Sequence, residues 1–240
     1  MAVAWQRKIG DIRYEVRTAG RSIRLYTGGA FHSQYNPAHL FTGAVWDLLS
    51  LPSLCADTKT RHVLALGVGG GTVIHQLHRL HPLKSVTGIE LDPTHIEIAK
   101  RFFNLNYAHT VLVDADARYW LETSRARFDY IIDDVFLHGE ADPARPFFPD
   151  DSWCSLLKQH LKPGGAVVQN HIDDKHAAAG RKTFRRYFDR VLTFENDMYA
   201  NTVVAGYLSD ARPAELRQRV ADRLALLPSA ETRRLRHRIR

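Results

Sequence analysis

From Arg61 onward, short apolar runs alternate with stretches whose apolar residues recur every three to four positions. Residues Val63–Leu66, 85–90, Val111–Val113, Tyr130–Ile132 and Ala166–Gln169 read as strands, with helices over 72–81, 93–103, 117–124, 151–161 and 176–188. Strands and helices in that alternation build a mostly parallel sheet with helices on its faces. Val191–Phe194 and Thr202–Leu208 have no full helix between them and are expected to close the sheet as an antiparallel pair. Upstream, residues 12–27 alternate apolar and polar positions around the turn Thr18-Ala19-Gly20-Arg21, which predicts a β-hairpin. A polar loop, His32 to Pro37, should follow, then a helix over 38–50 that carries Leu40, Val45, Leu48 and Leu49 and is closed by Pro52. Val135 to Asp150 is the one long stretch without a pattern, and Leu216, Val220, Leu224 and Leu227 form one apolar stripe of a C-terminal helix with a frayed, arginine-rich end. The fold class expected is therefore α/β, a Rossmann-like sheet with an antiparallel last strand and a small N-terminal β-hairpin.

Composition adds little to this picture. With 240 residues, 45% hydrophobic and 25% charged, the chain can bury one main core, which excludes a disordered or fibrous class. No apolar run approaches the roughly 18 to 20 residues that span a bilayer, and Met1 to Trp5 lead into charges with no export-type apolar segment. A cytoplasmic protein without membrane contact is expected. Cys55 and Cys154 stand far apart with no metal-ligand spacing and are expected to be reduced and structural. His75, His78 and His81 share one helix but lack a carboxylate partner there, so they read as surface residues and no metal is expected.

Net charge is more informative. Of the overall +7, residues 211–240 hold +6, from nine arginines against Glu215, Asp222 and Glu231. The body is nearly neutral, so nucleic acid is admitted as a partner only through the basic tail; a solvated surface helix is the competing account.

Candidate chemistry lies at the strand ends. Val63–Leu66 runs into Gly67-Val68-Gly69-Gly70-Gly71-Thr72 and a helix, a turn that can bring backbone N–H groups to one polar ligand. A dinucleotide fingerprint would put its third glycine at position 72, where this chain has threonine, and no Gly-Lys-Ser/Thr follows, which excludes a P-loop. Glu90 ends the second strand, where it can accept both hydroxyls of a ribose, and Asp116 follows the third, where it can accept from an adenine amine. Asp92 and Asp114 read instead as helix N-caps.

Val63 to Val73, the Gly88-Ile89-Glu90-Leu91-Asp92 strand end, Asp114 to Leu121, Phe128-Asp129-Tyr130-Ile131-Ile132-Asp133-Asp134 and Leu161-Lys162-Pro163-Gly164-Gly165 resemble the spermidine-synthase-like branch of the class I methyltransferase fold over residues 10 to 210. The resemblance implies three regions: 1–50, a β-hairpin and helix; 51–210, a domain binding S-adenosylmethionine or its decarboxylated form; and 211–240, a basic helix and tail. It also implies that Gly67, Gly69 and Gly71 cradle the methionine part, Glu90 the ribose and Asp116 the adenine. Asp134 would attract an acceptor amine and take its proton, with Glu140, Asn170 and Tyr199 as further substrate contacts, while Asp133 alternates to the other face as a structural partner. His138 and Asp142 flank Glu140 in the same loop. The chain departs from the family in two acids. Gly70 replaces an aspartate of the glycine turn, and Asp134-Val135-Phe136-Leu137 keeps only the first acid of Asp-Ser-Ser-Asp-Pro. Tyr35-Asn36-Pro37-Ala38-His39 also stands where the family has Tyr-His-Glu. Losing two acids that grip amines favours methyl transfer to an amine or similar small nucleophile; polyamine aminopropyl transfer is the alternative, and a non-catalytic nucleoside- or RNA-binding module the second. Homodimerisation stays open.

Overall fold

In the computed structural model, residues 1–137, 145–146 and 150–240 are described. The N-terminal part is a four-stranded antiparallel sheet in chain order, β1 (Ala2–Ile9), β2 (Ile12–Ala19), β3 (Ser22–Thr27) and β4 (Ala30–Tyr35). Only its central pair, β2 and β3, is the expected hairpin. β1 is an edge strand exposed almost throughout, so no burial alternation marks it. β4 occupies much of what reads as a polar loop; its Ser33 is buried although its neighbours are polar. The helix expected over 38–50 begins only at α1 (Val45–Ser50), because the buried Asp47 carboxylate accepts from the Thr42 and Gly43 amides and the Thr42 hydroxyl and ties 42–44 into a turn.

Eight strands form the main sheet: β5 (His62–Leu66), β6 (Ser85–Glu90), β7 (Thr110–Asp114), β8 (Phe128–Asp133), β9 (Leu161–His171), β10 (Arg190–Glu195), β11 (Thr202–Tyr207) and β12 (Arg238–Ile239). Their order is β12-β10-β11-β9-β8-β5-β6-β7. Strands β7 to β9 of that order pair in parallel, whereas β11, β10 and β12 join antiparallel, as the missing helix between β10 and β11 predicts. One face is covered by α1, α2 (Thr72–Leu80) and α7 (Pro213–Ala225), where Leu48, Leu77, Leu216 and Val220 pack on Val63 and Ala65. The other is covered by α4 (Ala117–Thr123), α5 (Asp151–Gln159) and α6 (Asp174–Tyr187), where Leu121, Trp153, Leu157 and Phe184 meet Leu64 and Leu66. Helix α3 (Pro93–Arg101) bridges to the N-terminal sheet: Ile98 and the following Phe103 share a third core with Tyr14, Val16 and Leu25. No helix among the described residues is long and apolar enough to cross a membrane.

Two expectations are corrected here. The arginine-rich end does not fray: after α8 (Ser229–Thr232), Leu235 is buried, Ile239 and Arg238 pair with Phe194 and Glu195, and Glu231 accepts from the Leu40 amide at 2.6 Å. Nor are the three histidines surface residues, since His75 and His81 are buried and His78 is half-buried. Each has its own partner: Tyr107 for His75 at 2.9 Å, Thr110 for His78 at 3.0 Å and Ser53 for His81 at 2.7 Å. Cys55 and Cys154 are free thiols in the core, where burial pushes both up to about 12.

Candidate active site

In an open parallel sheet, a crevice forms at the carboxyl edge where the strand order reverses. That reversal falls between β5 and β8, and a cleft of about 840 Å³ opens over it. Gly67 follows β5 with φ +79°; a Cβ there would lie 2.3 Å from the Asp134 carbonyl oxygen, so the close approach of the two strand ends needs glycine. Gly67 and Gly69 line the cleft, while Gly71 does not: it is the left-handed residue capping α2, packed against Leu105.

The turn differs from the open anion cradle that its glycines suggest. Its five amides already have acceptors inside the protein. Gly67 donates to the Ile89 carbonyl, Val68 and Gly69 to Glu90 Oε2 at 2.8 and 2.9 Å, Gly70 to Ser33 Oγ at 2.7 Å, and Gly71 to the Val68 carbonyl. Position 70, where the resembled family has an acid, packs so closely on Phe103 and Ser33 that a Cβ would come within 2.7 to 2.8 Å of both. Glu90 Oε1 also accepts from the Asp92 amide at 3.1 Å and stands 3.7 Å from His95 Nδ1. Burial alone would push the Glu90 carboxyl up, but His95 and the Gly69 and Asp92 amides overcome it and hold it at about 2. Glu90 therefore presents a fixed, ionised carboxylate to the cleft.

Beside it stand Asp92 and Asp116. Asp92 caps α3 through the Thr94 amide, as its position before Pro93 suggests, and accepts the Tyr14 hydroxyl at 2.7 Å. The cap of α4 is Asp116 rather than Asp114: one Asp116 oxygen accepts from the Tyr119 amide at 2.9 Å, and the exposed carboxylate still borders the cleft. The N-terminal sheet supplies the opposite wall with Tyr14, Phe31 and His32, and Thr27 meets His95 Nε2 at 2.8 Å.

Across the switch point, Asp134 Oδ1 accepts from Asn170 Nδ2 at 2.8 Å, and Asn170 Oδ1 accepts from Asn201 Nδ2 at 3.1 Å. Burial is the main cause that pushes the Asp134 carboxyl up to about 6; Asp133 and Glu90 add to it, while Asn170 and Arg145 oppose it. Tyr199 borders the same space, 37% exposed. Asp133 points away, fully buried, and accepts from Trp153 Nε1 at 2.7 Å, Gln169 and Arg145. Arg145 also donates to the Asn170 carbonyl at 3.0 Å. Glu140, with His138 and Asp142, lies outside the described residues. The cleft thus gathers Gly67, Gly69, Glu90, Asp116, Asp134, Asn170 and Tyr199, and leaves Gly71 out. Sequence reasoning missed Tyr14, His95, Ser33 and Arg145. An acid such as Asp133 at the end of an apolar strand was a signal for a buried cation, but nothing local pointed to Arg145.

The model of the spermine/spermidine synthase domain matches residues 47–206. A probable polyamine aminopropyl transferase of Bifidobacterium longum is 30% identical over 131 residues, which are 54% of this chain and 28% of that protein. The polyamine aminopropyltransferase of Vibrio vulnificus is 27% identical over 186 residues, 74% of this chain and 60% of that protein. The chain therefore spans from about a quarter to six-tenths of the length of these two relatives. A crystal structure of a probable spermidine synthase from Corynebacterium glutamicum superimposes with a TM-score of 0.78 at 16% identity, over all of this chain and 91% of that one, a likeness of fold.

Proposed function

The chain belongs to the spermine/spermidine synthase family, and from that premise we propose that it transfers an aminopropyl group from decarboxylated S-adenosylmethionine to an amine. The observation that carries this reading is the charge of the cleft. Glu90, Asp92, Asp116 and Asp134 line it, and among the described residues no lysine or arginine does. Such a wall suits two cationic reactants, a sulfonium nucleoside without a carboxylate and an ammonium. A carboxylate-bearing tail would add a negative charge to a cleft that already holds four acids, beside a turn whose amides are already taken.

In this reading Glu90 holds the ribose of the nucleoside and Asp116 its adenine amine, which their positions on the cleft wall support. When bound, the nucleoside supplies a carbon activated by the sulfonium, where the C–N bond forms as the C–S bond breaks and its electron pair returns to sulfur. Asp134 draws the acceptor ammonium in and takes its proton, so that the nitrogen lone pair is free. Asn170 and Asn201 orient that carboxylate, and the rigid strand ends supply alignment.

Methyl transfer from S-adenosylmethionine is the second reading, favoured by the missing acid at Gly70. The other four acids of the cleft turn the balance toward the decarboxylated cofactor. Competition between the two cofactors, with mass analysis of amines incubated with each, tests this. Tighter binding of the decarboxylated form by at least several-fold and aminopropylated product are expected. Preference for S-adenosylmethionine with methylated product would overturn the proposal, and nucleoside binding without transfer would leave the non-catalytic module.

A further inference from the structure

The Glu90 carboxylate is held from two sides. On one side is backbone: Oε2 accepts from the Val68 and Gly69 amides and Oε1 from the Asp92 amide. On the other is His95, buried in the first turn of α3, whose Nδ1 stands 3.7 Å from Oε1, beyond hydrogen-bond range but close for a charge contact. The second ring nitrogen, Nε2, meets the hydroxyl of Thr27 at 2.8 Å. Thr27 is buried at the end of β3, so the N-terminal sheet reaches Glu90 through a residue of the main sheet's helix layer. The other ionisable groups around the pair come from several elements. Tyr14 of β2 meets the His95 ring edge-on at 5.9 Å between centroids, His32 of β4 lies at 5.3 Å, and Asp92 Oδ2 is 4.0 Å from Nε2. The Tyr14 hydroxyl donates to Asp92, and Asp134, across the cleft, is near enough for its charge and that of Glu90 to interact.

A carboxylate can only accept, so the ring proton that faces Glu90 sits on Nδ1. Nε2 then accepts from the Thr27 hydroxyl when the ring is neutral and donates to that oxygen when it is charged, and the ring keeps one orientation in both states. Without His95, the buried Glu90 carboxylate would be left to its backbone donors, while burial favours its protonated form. A protonated Glu90 would present an O–H where a ribose hydroxyl needs an ionised acceptor, and the charge-assisted hydrogen bond would be lost. Resting on the reading of Glu90 as the ribose carboxylate, we propose that His95 is a positioning residue for nucleoside binding: locked by Thr27 of the N-terminal sheet, it keeps Glu90 ionised and fixed toward the cleft.

The test uses the whole chain and 5′-methylthioadenosine, a neutral thioether nucleoside whose binding does not sense the net charge of the cleft. Calorimetry from about pH 7.5 to about pH 4.5 compares wild type with His95→Phe, His95→Asn, His95→Gln and Thr27→Val. Asparagine can place an N–H where Nδ1 stands, glutamine where Nε2 stands. We expect His95→Phe and His95→Gln to lose about three- to ten-fold more affinity than wild type over that fall in pH, Thr27→Val an intermediate amount, and His95→Asn no more than wild type. At about pH 7.5, where Glu90 is ionised in every variant, kcat with saturating decarboxylated S-adenosylmethionine should stay within a few-fold. Carbon NMR of the glutamate carboxyls gives a readout without ligand, the Glu90 signal being identified by its loss in Glu90→Gln. That signal should hold still in wild type down to about pH 4 and titrate above it in His95→Phe. Should His95→Phe fail to fold, His95→Gln takes its place in both measurements. A loss of affinity equal at every pH, or a Glu90 signal as still in the variant as in wild type, would overturn the inference. Failure of wild type to bind the nucleoside would count against the nucleoside reading itself, and the NMR titration would still decide whether His95 keeps Glu90 ionised.

Discussion

Glu90 and Asp134 are carboxylates of one cleft that their surroundings drive in opposite directions. Backbone amides and His95 hold Glu90 at about 2, whereas burial near Asp133 and Glu90 pushes Asp134 up to about 6. Of the two, Asp134 is the one raised toward neutrality, as the proposed acceptor of the amine proton would need to be. Turnover should therefore fall as pH drops through about 6. The stability effect has the opposite sign. A carboxyl whose folded pKa is raised binds its proton more tightly when folded, so its contribution to stability declines as pH rises from the ordinary carboxylate range to about 6 and stays lost above. Asp134→Asn should lower turnover by about 100-fold or more, leave nucleoside affinity within a few-fold, and raise stability at pH 8 by about 2 kcal/mol. Denaturant unfolding at pH 5 and pH 8 beside a pH–rate profile reads all three. Retained turnover would make Asp134 a structural strand end.

At the scale of elements, the C-terminal segment carries the clearest consequence. Its thirty residues hold most of the net charge, yet they return to the sheet: β12 extends it beyond β10, the Thr193 and Arg240 backbones exchange two hydrogen bonds, and Glu231 joins Arg79 to the Leu40 amide. Leu235 fills the core beside Leu216 and Val220. Removing residues 229–240 therefore costs a buried leucine, a half-buried isoleucine and an edge strand, a loss of about 2 to 4 kcal/mol. Thermal and denaturant unfolding of the truncated chain against the full one would show it. An unchanged midpoint would mean that the segment rests on the sheet without stabilising it.

For the molecule as a whole, charge is segregated. The positive excess sits in the tail, while the cleft between the two sheets is walled by four carboxylates. The N-terminal sheet is not an appendage to that cleft but one of its walls, held by the Tyr14, Val16 and Leu25 core, by Tyr14 on Asp92 and by Ser33 under the glycine turn. A cationic nucleoside should feel the local field of the cleft more than the distant +7, because charges beyond about 10 Å are screened at moderate salt. Raising sodium chloride from about 0.05 to 0.5 M should weaken binding of decarboxylated S-adenosylmethionine about three- to ten-fold and barely affect adenosine. Calorimetry across that range checks this, and binding that tightens with salt would mean that the net charge governs.

The α/β class, the strand–helix alternation, the antiparallel closing pair and the positions of Glu90, Asp116 and Asp134 at successive strand ends were legible from the chain alone. Each rests on a local pattern: an apolar run sets where a strand ends, and a capping acid or proline sets where the next helix begins. What the tertiary structure decided is which polar groups meet. Ser33 taking the Gly70 amide, Glu90 occupying the amides of Val68 and Gly69, Arg145 neutralising Asp133 and Arg238 pairing beside Glu195 join residues far apart in sequence or on different elements. No periodicity encodes such pairings. A polar group buried by distant elements must find a partner wherever the fold brings one, whereas hydrophobic spacing records only which face of its own element is buried.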